Sequence, residues 1–340
     1  MNSRDLLLAV VAAGVLALAG SLGTLVIPES VEATTPSFWK DYNDDGKPDL
    51  AIGIPGERVG GFANAGAVQV IYGRNPDGFS SLGQQFFNEN NIDATDGPSQ
   101  GDRFGAALAS GDFDDDGFAD LAIGIPGEDL GANPLGVDRG AITILWGSED
   151  GLVEDDAVAI ETGPNHNFGS SLVALDMFDQ NSTLGTAWDG IADLVVGDDR
   201  GVTFFLGATR NFLNVPTTPR RLGLRGEDSL ASFRFVLCAG NLDSDRPHEL
   251  IVGMPDKAVG GVAGAGEIAV IDRITPPPSG FPFDVDIVSQ DDYNFTNVAG
   301  DNFGASLAIG NLVGPDEDAE SIEEVLVGAP GKNVAFRGSS

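Results

Sequence analysis

Nine residues, Asp112 to Asp120, set carboxylates at the first, third, fifth and ninth places of Asp-x-Asp-x-Asp-Gly-x-x-Asp, with Phe118 at the seventh. The same frame holds Asp41, Asn43, Asp45, Lys47 and Asp49 upstream. Alternate positions of a tight loop can turn side-chain oxygens inward, the seventh residue can offer its backbone carbonyl, and Gly46 or Gly117 can supply the sharp turn. The product is an all-oxygen cage, suited to Ca²⁺ and poorly suited to zinc or copper. Asp, Asn and Gly are also common in solvated turns. Clustered carboxylates at fixed odd positions repel one another without a cation, however, and that favours the cage. The EF-hand shares this ligand logic but needs a Glu at position 12 and flanking helices.

Three less regular loops repeat the theme. Asn241, Asp243, Asp245 and Glu249 keep the oxygen spacing, with Arg246 in place of the turn glycine. Asp176 is followed by an insertion and then by Asp189 and Asp193, three carboxylates that could converge. Asp316, Asp318 and Glu320 lie in an expanded loop that ends at Glu324. His248 sits where oxygen ligands dominate and reads as solvated.

The elements that must position these loops are strands. Asp49 to Glu57 recurs letter for letter at Asp120 to Glu128, and weaker copies begin at Asp193, Glu249 and Glu324. The anchors 49, 120, 193, 249 and 324 are spaced by 71, 73, 56 and 75 residues, a period that suits a four-stranded sheet with its turns. Upstream of the anchors stand Phe104-Gly105, Phe168-Gly169 and Phe303-Gly304, with Phe233-Arg234 as an altered pair. Downstream, Gly66 to Gly73 matches Gly140 to Gly147, a β-branched and aromatic run bracketed by glycine. Each unit therefore runs strand, acidic loop, strand, Gly-Pro turn, strand, variable fourth strand. One such sheet cannot bury both faces alone, so the sheets must pack radially. The expected fold is all-β: a β-propeller of four-stranded antiparallel blades, about five units with the first and last incomplete.

Together, the Phe-Gly, Asp-x-Asp-x-Asp-Gly and Gly-x-Pro elements resemble FG-GAP repeats, the units of the integrin α-chain propeller, over roughly residues 38 to 331. The resemblance implies a propeller holding Ca²⁺ between the first two strands of a blade. On it, Asp41, Asn43, Asp45 and Asp49, and Asp112, Asp114, Asp116 and Asp120, match the family's cation-binding positions. Integrin-type rings have seven blades, whereas three full and two partial units are counted here. The array over 38–340 is therefore expected to be a fragment of a larger ring or an incomplete one.

Composition narrows the partners. Lys plus Arg total 18 and Asp plus Glu 52, a net charge of −34 that argues against nucleic acid and for bound divalent cations. The single cysteine, Cys238, excludes an intramolecular disulfide and any Cys-based zinc or iron–sulfur site. Leu6 to Ile27 is a 22-residue run without charge, and Ala17-Leu18-Ala19 has the form of a signal-peptidase site. Residues 1–33 read as an export signal, with an uncleaved signal anchor as the competing reading; the anchor would be the only membrane attachment.

The functional expectation is a secreted or cell-surface Ca²⁺-binding module for adhesion or recognition of a protein or carbohydrate ligand, without catalysis. The alternative is a scaffold or accessory part of a secreted carbohydrate- or phospholipid-active hydrolase. No His-Glu-x-x-His occurs in the sequence, and its two histidines, His166 and His248, are isolated, which gives a catalytic site little support.

Overall fold

The protein is described by a computed structural model that covers residues 8–11, 40–74, 78–79, 83–92, 97–128, 139–161, 167–177, 190–207, 220–222, 234–242, 248–273, 283–293, 295–310 and 323–332. Twenty strands run through these segments. β1 (Leu8–Val11) stands alone at the start of the chain. The first repeat contributes β2 (Leu50–Ile54), β3 (Ala67–Ile71), a small hairpin of β4 (Gly73–Arg74) and β5 (Gly78–Phe79), and β6 (Gln85–Phe87). The second gives β7 (Ala107–Gly111), β8 (Asp120–Ile125), β9 (Ala141–Trp146) and β10 (Val153–Glu161). The third gives β11 (Ser171–Leu175), β12 (Asp193–Gly197), β13 (Val202–Phe205) and β14 (Arg220–Leu222), and the fourth β15 (Val236–Gly240), β16 (Glu249–Met254), β17 (Glu267–Arg273) and β18 (Phe283–Val288). The fifth ends the series with β19 (Ser306–Gly310) and β20 (Glu324–Gly328).

The second, third and fourth repeats are four-stranded antiparallel meanders, and the first is the three-stranded sheet β2-β3-β6. In the fifth, β19 and β20 pair antiparallel, and β1 lies parallel on the far side of β20, with Leu8 opposite Val325. Those four residues are the described part of the segment expected to be an export signal. Among the described residues no helix is long and apolar enough to cross a membrane.

The inner sheets bury both faces because their neighbours cover them, and the period of two along a strand sorts the side chains between the two neighbours. In β8, Leu121, Ile123 and Ile125 join Val68, Val70 and Phe87 of the first sheet, while Ala122 turns to Leu194, Val196 and Phe205 of the third. In β16, Leu250 and Val252 pack on the third sheet and Ile251 on Val325 and Val327 of the fifth. The first strands of successive sheets, β7, β11, β15 and β19, lie side by side. This is the blade-on-blade packing of a β-propeller. The outward face of the first sheet shows Leu50, Ile52 and Phe86 to solvent at 38%, 40% and 45% exposure.

Glycines lock one repeat to the next. Gly66 takes φ +92°, and a Cβ there would lie 2.3 Å from the Phe104 carbonyl oxygen; Gly140 faces Phe168 in the same way. The Phe104 amide in turn donates to Ala65 O at 2.8 Å, and Phe303 repeats this with Ala265 O at 3.0 Å. The Phe of each Phe-Gly pair is fully buried. Phe87, Phe204 and Phe205 are core residues, and Trp146 packs on the core from a half-buried position, so these aromatics are packing groups.

Candidate metal centre

The acidic loops of the second to fifth repeats join the first and second strands of their sheets, and that of the first repeat leads into β2. In the second repeat, Asp112 follows β7 and Asp120 opens β8. The Asp112 carboxylate accepts the amides of Asp116 at 3.2 Å and Gly117 at 3.0 Å, and Asp116 Oδ1 accepts the Phe118 amide at 3.0 Å. The loop coils around its own first carboxylate, a path that needs φ +60° at Asp115 and +96° at Gly117. Asp112, Asp114 and Asp116 thereby bring one oxygen each within 4.8 Å of one another. Asp114 Oδ1 is buried and receives no hydrogen bond. Desolvation, with Asp116 and Asp112 as like-charged neighbours, lifts the Asp114 carboxyl to about 6, and burial raises Asp112 too. A divalent ion would relieve all three, and an all-oxygen donor set fits Ca²⁺.

Asp120 has a different task. It is fully buried, and its two oxygens accept the amides of Phe113 at 2.8 Å and Gly147 at 2.9 Å. It therefore clamps the start of the loop to the end of β9. Burial holds its carboxyl well above the usual range despite those bonds. Asp49 does the same for Tyr42 and Gly73, both at 2.8 Å, and burial lifts it to about 6. Asp193 does so for Met177 at 2.9 Å and Gly207 at 3.0 Å. Glu249 accepts the Leu242 amide at 2.6 Å. The ninth position is thus a two-amide clamp in three repeats, and Glu249 makes the first of the two bonds in the fourth.

In the first loop the Asp41 carboxylate takes the amides of Asp45 at 3.1 Å and Gly46 at 2.8 Å, Asn43 Oδ1 takes Asp45 N at 3.3 Å, and Asp45 Oδ1 takes the Lys47 amide at 2.9 Å. The coil matches the second loop. In the third, Asp176 accepts Gly190 N at 3.0 Å, and Asp189 lies outside the described residues. In the fourth, Asp243 and Asp245 lie outside them; Asn241 is described, and its Oδ1 is buried without a partner. Asp316, Asp318 and Glu320 also fall outside. The loops are tied in series: Ala119 N donates to Asp41 O at 3.0 Å, Ala192 N to Asp112 O at 2.9 Å, and Glu323 N to Asn241 O at 2.7 Å.

A second group of carboxylates, Glu89, Asp102 and Glu128, converges at the opposite end of the β7–β8 hairpin. The sequence reading missed it, because its members come from three separate segments with no common spacing. The one available signal was Glu128 at the end of a turn where the fourth and fifth repeats carry lysine.

A chain of packed antiparallel sheets whose acidic loops lie at one end of the strands defines a β-propeller. The family model for the FG-GAP repeat matches residues 41–71 and 104–145. The chain thus carries FG-GAP repeats and resembles the integrin α-chain propeller. Among curated proteins it is similar to phosphatidylinositol-glycan-specific phospholipase D of Mus musculus, 35% identical over 138 residues, 40% of this chain and 16% of that protein. The Homo sapiens form is 30% identical over 230 residues, 63% and 25% of the two chains. Integrin alpha-PS5 of Drosophila melanogaster is 31% identical over 166 residues, 46% and 14%. The chain therefore spans about a quarter or less of the curated relatives it matches.

Proposed function

We propose that this protein is an exported, calcium-stabilised propeller module that recognises a protein or carbohydrate ligand at the cell surface and is not itself an enzyme. The observation that carries the metal half is the convergence of Asp112, Asp114 and Asp116 around a buried oxygen of Asp114 that lacks a donor. Similarity to an integrin α chain supports recognition and a surface location. The ions act as struts: they fix the loops at one end of each sheet, and the loops fix one another through their serial amide bonds. Titration of the metal-free chain with Ca²⁺ in a calorimeter is the test. Binding that the triple variant Asp112→Asn, Asp114→Asn, Asp116→Asn reduces by one ion is expected; equal binding by both proteins refutes the metal role.

One observation favours a second reading, the scaffold or accessory part of a hydrolase: the phospholipase D relatives align over as much as 63% of this chain. Purified chain that releases a phosphatidylinositol-glycan-anchored protein from vesicles would establish it in place of the non-enzymatic reading. No release is the result expected here.

A further inference from the structure

We propose that Glu89, Asp102 and Glu128 form a second, buried divalent-cation site of a different kind, in which Ca²⁺ stands where the fifth repeat places the ammonium of Lys332. The three side chains are 3%, 3% and 2% exposed, and each offers an oxygen within 4.8 Å of the others. No donor group reaches either oxygen of Glu89, and the side chains it meets at hydrogen-bonding range are the carboxyls of Glu128 and Asp102. Glu89 opens a short 3₁₀ turn after β6, Asp102 precedes the Phe104-Gly105 pair, and Glu128 closes the Gly-Pro turn after β8.

The fifth repeat contains the same cage with other contents, and backbone bonds fix the correspondence residue by residue. The Asn88 amide donates to the Asn91 side chain at 2.7 Å at the head of the Glu89 turn; the Ser289 amide donates to Asp292 at 2.7 Å at the head of the Gln290 turn. Gly101 N donates to Ala63 O, and Gly300 N to Ala263 O, both at 3.1 Å. Gly127 N donates to Asp102 O at 3.0 Å, and Gly331 N to Asp301 O at 3.1 Å. Asp102 accepts the Ser99 amide, as Asp301 accepts that of Val298. Glu89 therefore corresponds to Gln290, Asp102 to Asp301, and Glu128 to Lys332.

In the fifth repeat the cage carries its own counter-charge, while Gln290 Oε1 and Asp301 Oδ1 stay buried without a donor. Asp301 Oδ2 accepts Gln290 Nε2 at 3.0 Å and pairs with Lys332 Nζ at 2.9 Å. Burial pushes the Asp301 carboxyl up, but the bonds from Lys332, Gln290 and Val298 outweigh it and leave it below its usual range. The fourth repeat also has lysine at this turn position: Lys257 accepts the Gly266 amide on its carbonyl at 3.0 Å, as Glu128 accepts that of Gly140 at 2.9 Å, and its ammonium pairs with buried Glu267.

The second repeat replaces both donors of the fifth with acceptors. Asp301 and Lys332 sum to −1 + 1 = 0, whereas three ionised carboxylates sum to −3. Carboxylates this dry are stable only when neutralised, by a bound cation or by protons. Burial, then the neighbouring Glu128 and Asp102, drives the Glu89 carboxyl well above the usual carboxylate range in the absence of an ion. A hard cation with oxygen preference meets the donor set, and the site of the missing ammonium is the place for it. This site is independent of the Asp112 loop. β7 and β8 separate the two by about 17 Å, on a rise of about 3.3 Å per residue.

The test counts ions on the full chain by equilibrium dialysis against Ca²⁺, with terbium luminescence as a second probe of the same sites. Glu128→Lys installs the fifth repeat's own solution. It is expected to remain folded, to bind one Ca²⁺ fewer, and to melt at a higher temperature than the parent in EGTA. Glu128→Gln keeps the shape and should weaken one site tenfold or more, which serves if the lysine variant does not fold. Combining Glu128→Lys with Asp112→Asn and Asp114→Asn should remove two ions, so failure at one end is distinguishable from failure at the other. Unchanged stoichiometry and affinity in Glu128→Lys and Glu128→Gln overturn the proposal and leave the cluster as a store of protons.

Discussion

The two ends of the β7–β8 hairpin gather carboxylates by opposite routes. At the loop end, Asp112, Asp114 and Asp116 fall within five residues, and backbone amides of the same loop already bond two of the three side chains. At the turn end, Glu89, Asp102 and Glu128 come from three segments and are almost dry. The contrast shows how little a count of acidic residues says about a site. A loop that solvates its own carboxylates with amides can persist without an ion, while a cage assembled between repeats needs counter-charge from the start. The fifth repeat supplies that charge covalently, as Lys332.

The sharpest way to separate frame from ligand is at the ninth position. Asp120→Ala removes the acceptor for two buried amides, those of Phe113 and Gly147. Each orphaned donor costs about 1–3 kcal/mol, so a loss of about 3–5 kcal/mol is expected, the same with and without Ca²⁺ in urea unfolding. A loss that appears only in Ca²⁺ would make Asp120 a ligand first and a clamp second.

Chelation comes next in size. An ion present at a hundred times its dissociation constant stabilises the folded state by about 2.7 kcal/mol per site. EGTA should therefore lower the melting temperature by several degrees, and the Glu128→Lys variant should lose less than the parent. Equal losses would put all the stabilisation at the loop end.

The pH response should be smaller and should change with metal. Asp49 and Asp114 are lifted to about 6 by burial, above the ordinary 3.8. Between these values the folded chain holds protons that the unfolded chain has released. Metal-free stability therefore falls as pH rises from about 4 to about 6, and the penalty is complete above that window. Ca²⁺ prefers the ionised carboxylates, so saturating ion should flatten or reverse the slope. Thermal melts at pH 4.5, 5.5 and 7, in EGTA and in Ca²⁺, check both signs.

The sequence makes the repeat frame legible because its signals are local. The repeated Asp-Leu-Ala-Ile-Gly-Ile-Pro-Gly-Glu string, the Phe-Gly pairs and the Gly-bracketed apolar runs each specify a strand or turn within ten residues. The acidic loops are legible for the same reason. What escapes is the division of labour inside a loop: nothing in Asp-x-Asp-x-Asp-Gly-x-x-Asp shows that the last carboxylate faces the amide of a glycine 27 residues later. The Glu89 cage escapes entirely, since it exists only after one repeat packs on the next. Its trace is a contrast between repeats, Glu128 against Lys257 and Lys332, which acquires meaning only when the backbone bonds show the positions to be equivalent.

The smallest expected effect is also a control on that equivalence. Glu57 occupies the Glu128 position in the first repeat: its carbonyl accepts the Gly66 amide at 3.1 Å, as that of Glu128 accepts Gly140. Its side chain is exposed, unlike that of Glu128. Solvent there already screens the charge, and a substitution on such a surface shifts stability by no more than about 0.5 kcal/mol. Glu57→Lys should leave the number of bound Ca²⁺ ions and the melting temperature unchanged, while Glu128→Lys changes both. If the two variants behave alike, the effect of lysine at this turn comes from lowering the chain's net charge of −34 and not from the cage.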